Sequence, residues 1–367
     1  MTRTLPLYAK LALLGVFLYV LIYGLYLGQQ IFLPLGFSFL FAVLLRPFEI
    51  ILTRLRLPKP VAIMLAITIA ILVVAGIIAF ISSQLASFIS DIPAVKKNLD
   101  DLWRQCQKWI SNTLNLTRKQ QNDLLEQAKS QTVDNFGAVG TFNIITASIA
   151  TLTLIPVYVF LFMYYRTLLL RFIMQLFDAK HSVRVEECIR EIRYVVQHYI
   201  TGIMTETVIV AVMNIAGLLL IGAPYAVLLG LIGAIMNLIP YIGGLLAILL
   251  TALLTFTNTG SFETMTWSIV IYIIVQFIDN NFLVPYIIGS RVKLNALFSI
   301  IGVLLGGALF GIGGMFLSIP IIAICKVIFD RIEELQPYGQ LLGDDVPTWN
   351  PLSRKHFRRN RKPNQVT

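Results

Sequence analysis

From Trp267 to Ile328 the chain carries only four charged residues among 62: Asp279, Arg291, Lys293 and Lys326. Apolar length on this scale constrains the fold more than any short motif. About 18 consecutive apolar residues already suffice to cross a bilayer, and further stretches of that kind lie at 7–28, 61–89, 142–165 and 203–222. Inside lipid, every backbone N–H and C=O must be paired within the protein, which leaves helices and closed barrels. The runs are continuous rather than alternating, so a barrel is excluded. Charged residues form 13% of the chain, against about 25% in a soluble domain. The expected fold class is an all-α polytopic membrane protein of about eight membrane segments.

The net charge of +10 sits in loops and tails beside the spans, where it reports topology and not nucleic-acid binding. Residues 1–89 hold three membrane helices, at 7–28, 31–45 (extendable to 29–50) and 61–89. The loop 46–60 carries Arg46, Arg54, Arg56 and Lys59 and marks the cytoplasmic side. Residues 90–140 are polar, with seven Lys/Arg and six Asp/Glu. They are expected as a small external helical insert that packs on the bundle or a neighbouring subunit, or contacts a substrate or envelope partner. Residues 141–181 hold the fourth span and a cytoplasmic link through Arg166, Arg171 and Lys180. Residues 182–200 place Val185, Ile189, Ile192, Val195, Val196 and Tyr199 on one helical face, which suits an interfacial helix. Residues 201–335 form the expected transport core. The tail 336–367 holds six Lys/Arg within nine residues, so both termini are expected in the cytoplasm.

Two stretches exceed one crossing. A straight helix over 225–256 would measure about 48 Å at 1.5 Å per residue, against a hydrocarbon core of about 30 Å. The stretch 294–328 is similar. Each can be a long crossing or a discontinuous, re-entrant helical hairpin. Hairpins place Arg291 and Lys293 inside and the cation-free loop 257–266 outside, so charge favours them.

Three constellations could carry function. In the first, Asn237, Pro240, Tyr241, Gly243 and Gly244, the proline removes a backbone donor and the glycines permit a bend. Broken helices free backbone groups to coordinate an ion, although small residues also serve simple close packing. In the second, Gln276, Asp279 and Asn280 share a helical face, with Asn281 beside them. Asp279 could hold a cation or a proton, or could pair structurally with Arg291 or Lys293. An intramembrane carboxylate must face protein or water. Pro285 and Gly289 then break the run. Glu206 is a weaker acidic candidate that could equally lie at the interface. The third, Gly306, Gly307, Gly311, Gly313 and Gly314 with Pro320, has no polar side chain. It therefore offers only backbone work, as a turn inside the membrane or a narrow path lined by backbone dipoles.

No catalytic triad, metal-ligand spacing or phosphate-binding motif stands out, so the reading is not an enzyme and carries no cofactor. Cys106, Cys188 and Cys325 have no disulfide or metal spacing, and His198 is read as structural.

Three segments carry a family resemblance: NLIPYIGG at 237–244, QFIDNNFLVPYIIGSRVKLNALFSI at 276–300 and LLGGALFGIGGMFLSIP at 304–320. With them the chain resembles the autoinducer-2 exporter, or PerM permease, family of bacterial inner-membrane proteins over about residues 1–335. It departs from the family at Asn295, where a proline commonly follows the leucine, while Asp279 fills the acidic position before the paired asparagines. The resemblance implies a homo-oligomeric permease in the lipid bilayer that moves a small solute or ion, by export of a signalling molecule or by sodium- or proton-linked exchange. A passive pore formed in an oligomer and a non-transporting membrane scaffold are the alternatives.

Overall fold

A computed structural model of the chain describes residues 6–90, 153–177, 182–240, 242–288 and 294–344. The expectations for the insert at 90–140, for Tyr241, Gly289, Arg291 and Lys293, and for the tail beyond 344 lie outside these residues. The described residues form helices α1 (Leu7–Leu27), α2 (Gln29–Arg54), α3 (Lys59–Ser90), α4 (153–164), α5 (Arg166–Gln175) and α6 (Ser182–Leu220). They continue as α7 (Ala226–Met236), α8 (Gly243–Thr259), α9 (Phe262–Ile278) with a π-helical extension (Asp279–Ile288), α10 (Ala296–Arg331) and α11 (Gln336–Leu342). Six helical stretches among them are long and apolar enough to cross a bilayer: α2, α3, α4–α5, α6, α9 with its extension, and α10. The protein is an all-α polytopic membrane protein.

α2 packs on two sides. On one side Leu45 meets Ile63 and Ile67 of α3 and Val159 and Met163 of α4. Two polar ties fix this layer: Ser38 Oγ donates to Ile155 O at 3.2 Å, and Lys59 Nζ donates to Tyr164 O at 3.1 Å. On the other side Leu40 meets Val196, Tyr199, Ile200 and Ile203 of α6 and Leu317 of α10. The outer faces of α1 and α3, with Phe17, Val20, Leu72 and Ile78, are exposed apolar surface for lipid to cover.

Two boundaries differ from expectation. The loop expected at 46–60 is only four residues long, 55–58, because α2 runs on to Arg54 and α3 begins at Lys59. Pro60 falls in the first turn of α3, where a missing N–H costs nothing. The interfacial helix expected at 182–200 and the span expected from 203 are one uninterrupted helix of 39 residues. Gly202, at the expected junction, costs only about 1 kcal/mol against alanine, too little to break the helix. The apolar face containing Val195, Val196 and Tyr199 packs against α2 and α10.

α10 folds back on itself. A straight helix of its 36 residues would measure about 54 Å, yet both of its ends touch α11. Asn295 N donates to Leu342 O at 2.8 Å, and Gly339 lies 3.0 Å (to its Cβ position) from Asp330 N. The bend is at Gly311, whose φ of 63° and ψ of −149° are non-helical. Side chains added at Gly306 and Gly314 would strike the opposite arm, and one at Gly302 would strike Ile322. Asn295, the departure noted in the sequence, caps this helix: its Oδ1 accepts from Leu297 N at 2.9 Å.

Candidate functional site

α7 and α8 meet at a tight turn. Ile239 N donates to Met236 O and Gly243 N to Ile239 O, each at 2.9 Å. Any Cβ at Gly243 would strike the Met236 carbonyl, so only glycine closes the turn. The turn hands Asn237 to a cavity of about 580 Å³ between α6, the α7–α8 turn, α9 with its π extension, and α10. Asn237 Nδ2 donates to Asp279 Oδ2 at 2.8 Å and approaches Glu206 Oε1 at 3.4 Å. One amide nitrogen therefore gathers two acids that lie 73 positions apart in the chain.

Each acid is held by its helix. Glu206 sits on α6 with Ile203 one turn and Tyr199 two turns before it, and all three line the cavity. Asp279 opens the π extension, whose widened turns also accommodate Pro285, a residue with no N–H to donate. Glu206 and Asp279 are 6% and 1% exposed, and Asp279 Oδ1 is buried without a hydrogen-bond partner. Among the described residues no Lys, Arg or His forms an ion pair with either acid. Groups of three or more His, Cys, Asp or Glu spaced for a metal are likewise absent among the described residues.

Of the residues singled out in the sequence, Gln276, Asp279, Asn280, Asn237, Pro240, Gly244 and Glu206 all line this one cavity. Gln276 Nε2 approaches Asn280 Oδ1 at 3.4 Å, and the Gln276 amide lies on Gly244, where an added Cβ would push the amide aside. Asn281 is not part of it. Its Nδ2 donates to Phe277 O of its own helix at 2.8 Å, on an exposed face. Gly306, Gly307, Gly311, Gly313 and Gly314 are set apart in the α10 bend, where Gly313 sits 2.9 Å from Leu33 of α2 (to its Cβ position). Tyr199, Ile203, Leu294, Ser299 and Ile319 also line the cavity and were not singled out. The spacing 199, 203, 206 is the i, i+4, i+7 signature of one helical face, so two of them were legible beside Glu206.

The cavity sets its acidic and hydrogen-bonding groups beside apolar side chains, including Ile203, Leu245, Ile248 and Ile319. Its volume is within the range of small-molecule sites. The description "AI-2E family transporter" matches residues 16–334. The chain is similar to the protein YueF of Bacillus subtilis (strain 168), 24% identical over 296 residues that cover 76% of this chain and 79% of the relative. It is similar to YhhT of Escherichia coli (strain K12), 22% identical over 331 residues, 90% of this chain and 93% of the relative. It is also similar to the AI-2 transport protein TqsA of Escherichia coli (strain K12), 22% identical over 340 residues, 91% and 96%. With six membrane-length helices and a family match over most of its length, the chain is a multi-pass membrane transport protein and belongs to the AI-2E family of transporters.

Proposed function

We propose that this protein is a secondary transporter of the bacterial inner membrane that exports a small polar solute, with sodium or protons as the coupling ion, through the cavity at Glu206, Asn237 and Asp279. The observation that carries this reading is the pair of buried acids gathered on one amide, with one carboxylate oxygen unpartnered. Two acids at this depth need a compensating positive charge. A cation or proton that arrives and leaves supplies one, and couples its own movement to whatever shares the cavity. The similarity to TqsA supports a solute of the AI-2 kind.

The same proposal covers the membrane topology. The α7–α8 pair and the two arms of α10 are re-entrant hairpins, both termini are cytoplasmic, and the segments number about eight. The protein works as a homo-oligomer. Broken helices meeting at mid-depth are the form in which transporters present free backbone groups to solute and ion.

The test is flux in proteoliposomes under an imposed sodium or proton gradient. Gradient-dependent solute accumulation is expected, and Asp279→Asn is expected to abolish it while the protein still inserts. Normal coupled flux from that variant removes Asp279 from the mechanism. Downhill flux that ignores both gradients supports a passive pore instead.

A further inference from the structure

Away from the acidic cavity, a second cavity of about 410 Å³ opens between α2, α4–α5 and α6, with Ile324 of α10 at its edge. Its walls are mainly apolar, with Phe162, Leu170 and Ile189 among them, but three guanidiniums converge on it: Arg46, Arg166 and Arg193. They come from three different helices and influence one another electrostatically. Among the described residues lining the cavity, Glu49 is the one acid. Arg46 Nε and Arg166 Nε are both buried without a hydrogen-bond partner. Three cations against one anion, in a mainly apolar setting, leave positive charge and buried donors uncompensated.

The geometry points to an anionic phospholipid as the occupant, its phosphate on Arg46, Arg166 and Arg193 and part of one acyl chain along the apolar wall. Guanidinium forks match phosphate oxygens. A free phosphate would leave the apolar wall empty, and a zwitterionic lipid would not supply the missing negative charge. The location fits a headgroup. Arg46 stands two turns before Arg54, at the end of α2 that carries the basic connection to Lys59. Basic pockets between membrane helices are known receptors for such headgroups. The site is distinct from the transport cavity and does not depend on it.

The test uses the full chain purified in mild detergent and native mass spectrometry with three probes: dioleoylphosphatidylglycerol, dioleoylphosphatidylcholine and inorganic phosphate. One phosphatidylglycerol per chain should be retained at least tenfold more tightly than phosphatidylcholine, and phosphate alone should not hold. Arg46→Gln with Arg193→Gln should weaken retention tenfold or more. Arg54→Gln, exposed at the same end of α2, should leave it unchanged. Ala42→Trp fills the apolar wall while keeping every arginine, and should also expel the lipid. Equal retention of the two lipids overturns the proposal, as does phosphate binding as tight as phosphatidylglycerol. So does undiminished retention in the double arginine variant or in Ala42→Trp.

Discussion

Two glycines with empty space around them should respond to alanine with opposite signs. At Gly76, inside α3, and at Gly311, at the bend of α10, an added Cβ meets no atom within 4 Å. Steric collision is therefore absent at both, and backbone conformation alone decides. Gly76 is helical, so Gly76→Ala should stabilise by about 0.5–1 kcal/mol. Gly311 has φ 63° and ψ −149°, a region that side chains other than glycine enter at a cost of about 1–3 kcal/mol. The two variants should thus differ by about 1.5–4 kcal/mol. Denaturation of the purified full chain in detergent, followed by circular dichroism, reads the sign directly. A structural reporter belongs beside it. Gly302→Cys with Ile322→Cys, in a chain whose Cys106, Cys188 and Cys325 are serine, should form a disulfide, because Ile322 presses on Gly302. A straight helix would hold these positions about 30 Å apart. Adding Gly311→Ala should slow disulfide formation. Shifts of the same sign at Gly76 and Gly311, or no disulfide in the inserted parent, would refute the bend and the reasoning built on it.

Asn237→Leu removes the 2.8 Å donor to Asp279 and should destabilise by about 1.5–3 kcal/mol, the range for a hydrogen bond to a charged group. In a chain that already carries Glu206→Gln and Asp279→Asn the loss should shrink, and strictly additive losses would show that the three residues do not act together. Gly244→Leu drives a side chain into the Gln276 amide and should cut solute flux tenfold or more with insertion intact; normal flux would place the pathway elsewhere. The re-entrant topology predicts that Lys293→Cys, in the cysteine-free background, reacts with an impermeant maleimide from the cytoplasmic side only, and labelling from outside would sink it.

Much of the site could be read from the sequence because helical spacing is local. Gln276, Asp279 and Asn280 share a face, and they do line one cavity, whereas Asn281 falls one step further around the helix and turns back to Phe277. Glu206 was harder to weigh, and the reason is specific. A reading that ends an interfacial helix at 200 puts Glu206 near the start of a span, where an exposed acid is ordinary. In the continuous α6 it lies well inside the helix and is buried. The acid's importance therefore depended on a boundary drawn where a charged amphipathic stretch gives way to an apolar one, a change of composition that the backbone of α6 runs straight through. Contacts between distant segments were out of reach altogether. The glycines of α10 indicate a bend but not which arms meet. Arg46, Arg166 and Arg193 look like ordinary topology markers until α2, α5 and α6 bring them together.

The unbroken run of α6 has a mechanical meaning. Its outer turns are gripped by charge: Arg331 reaches Glu187 and Glu191, and Arg184 reaches Glu333. From Ser182 to Glu206 the helix rises about 36 Å, with no proline and no non-helical residue on the way. Such a rod has nowhere to absorb a displacement. A tilt imposed at its charged end would pass along the same unbroken backbone that carries Glu206, so the ionic clasp and the buried acid share one rigid element.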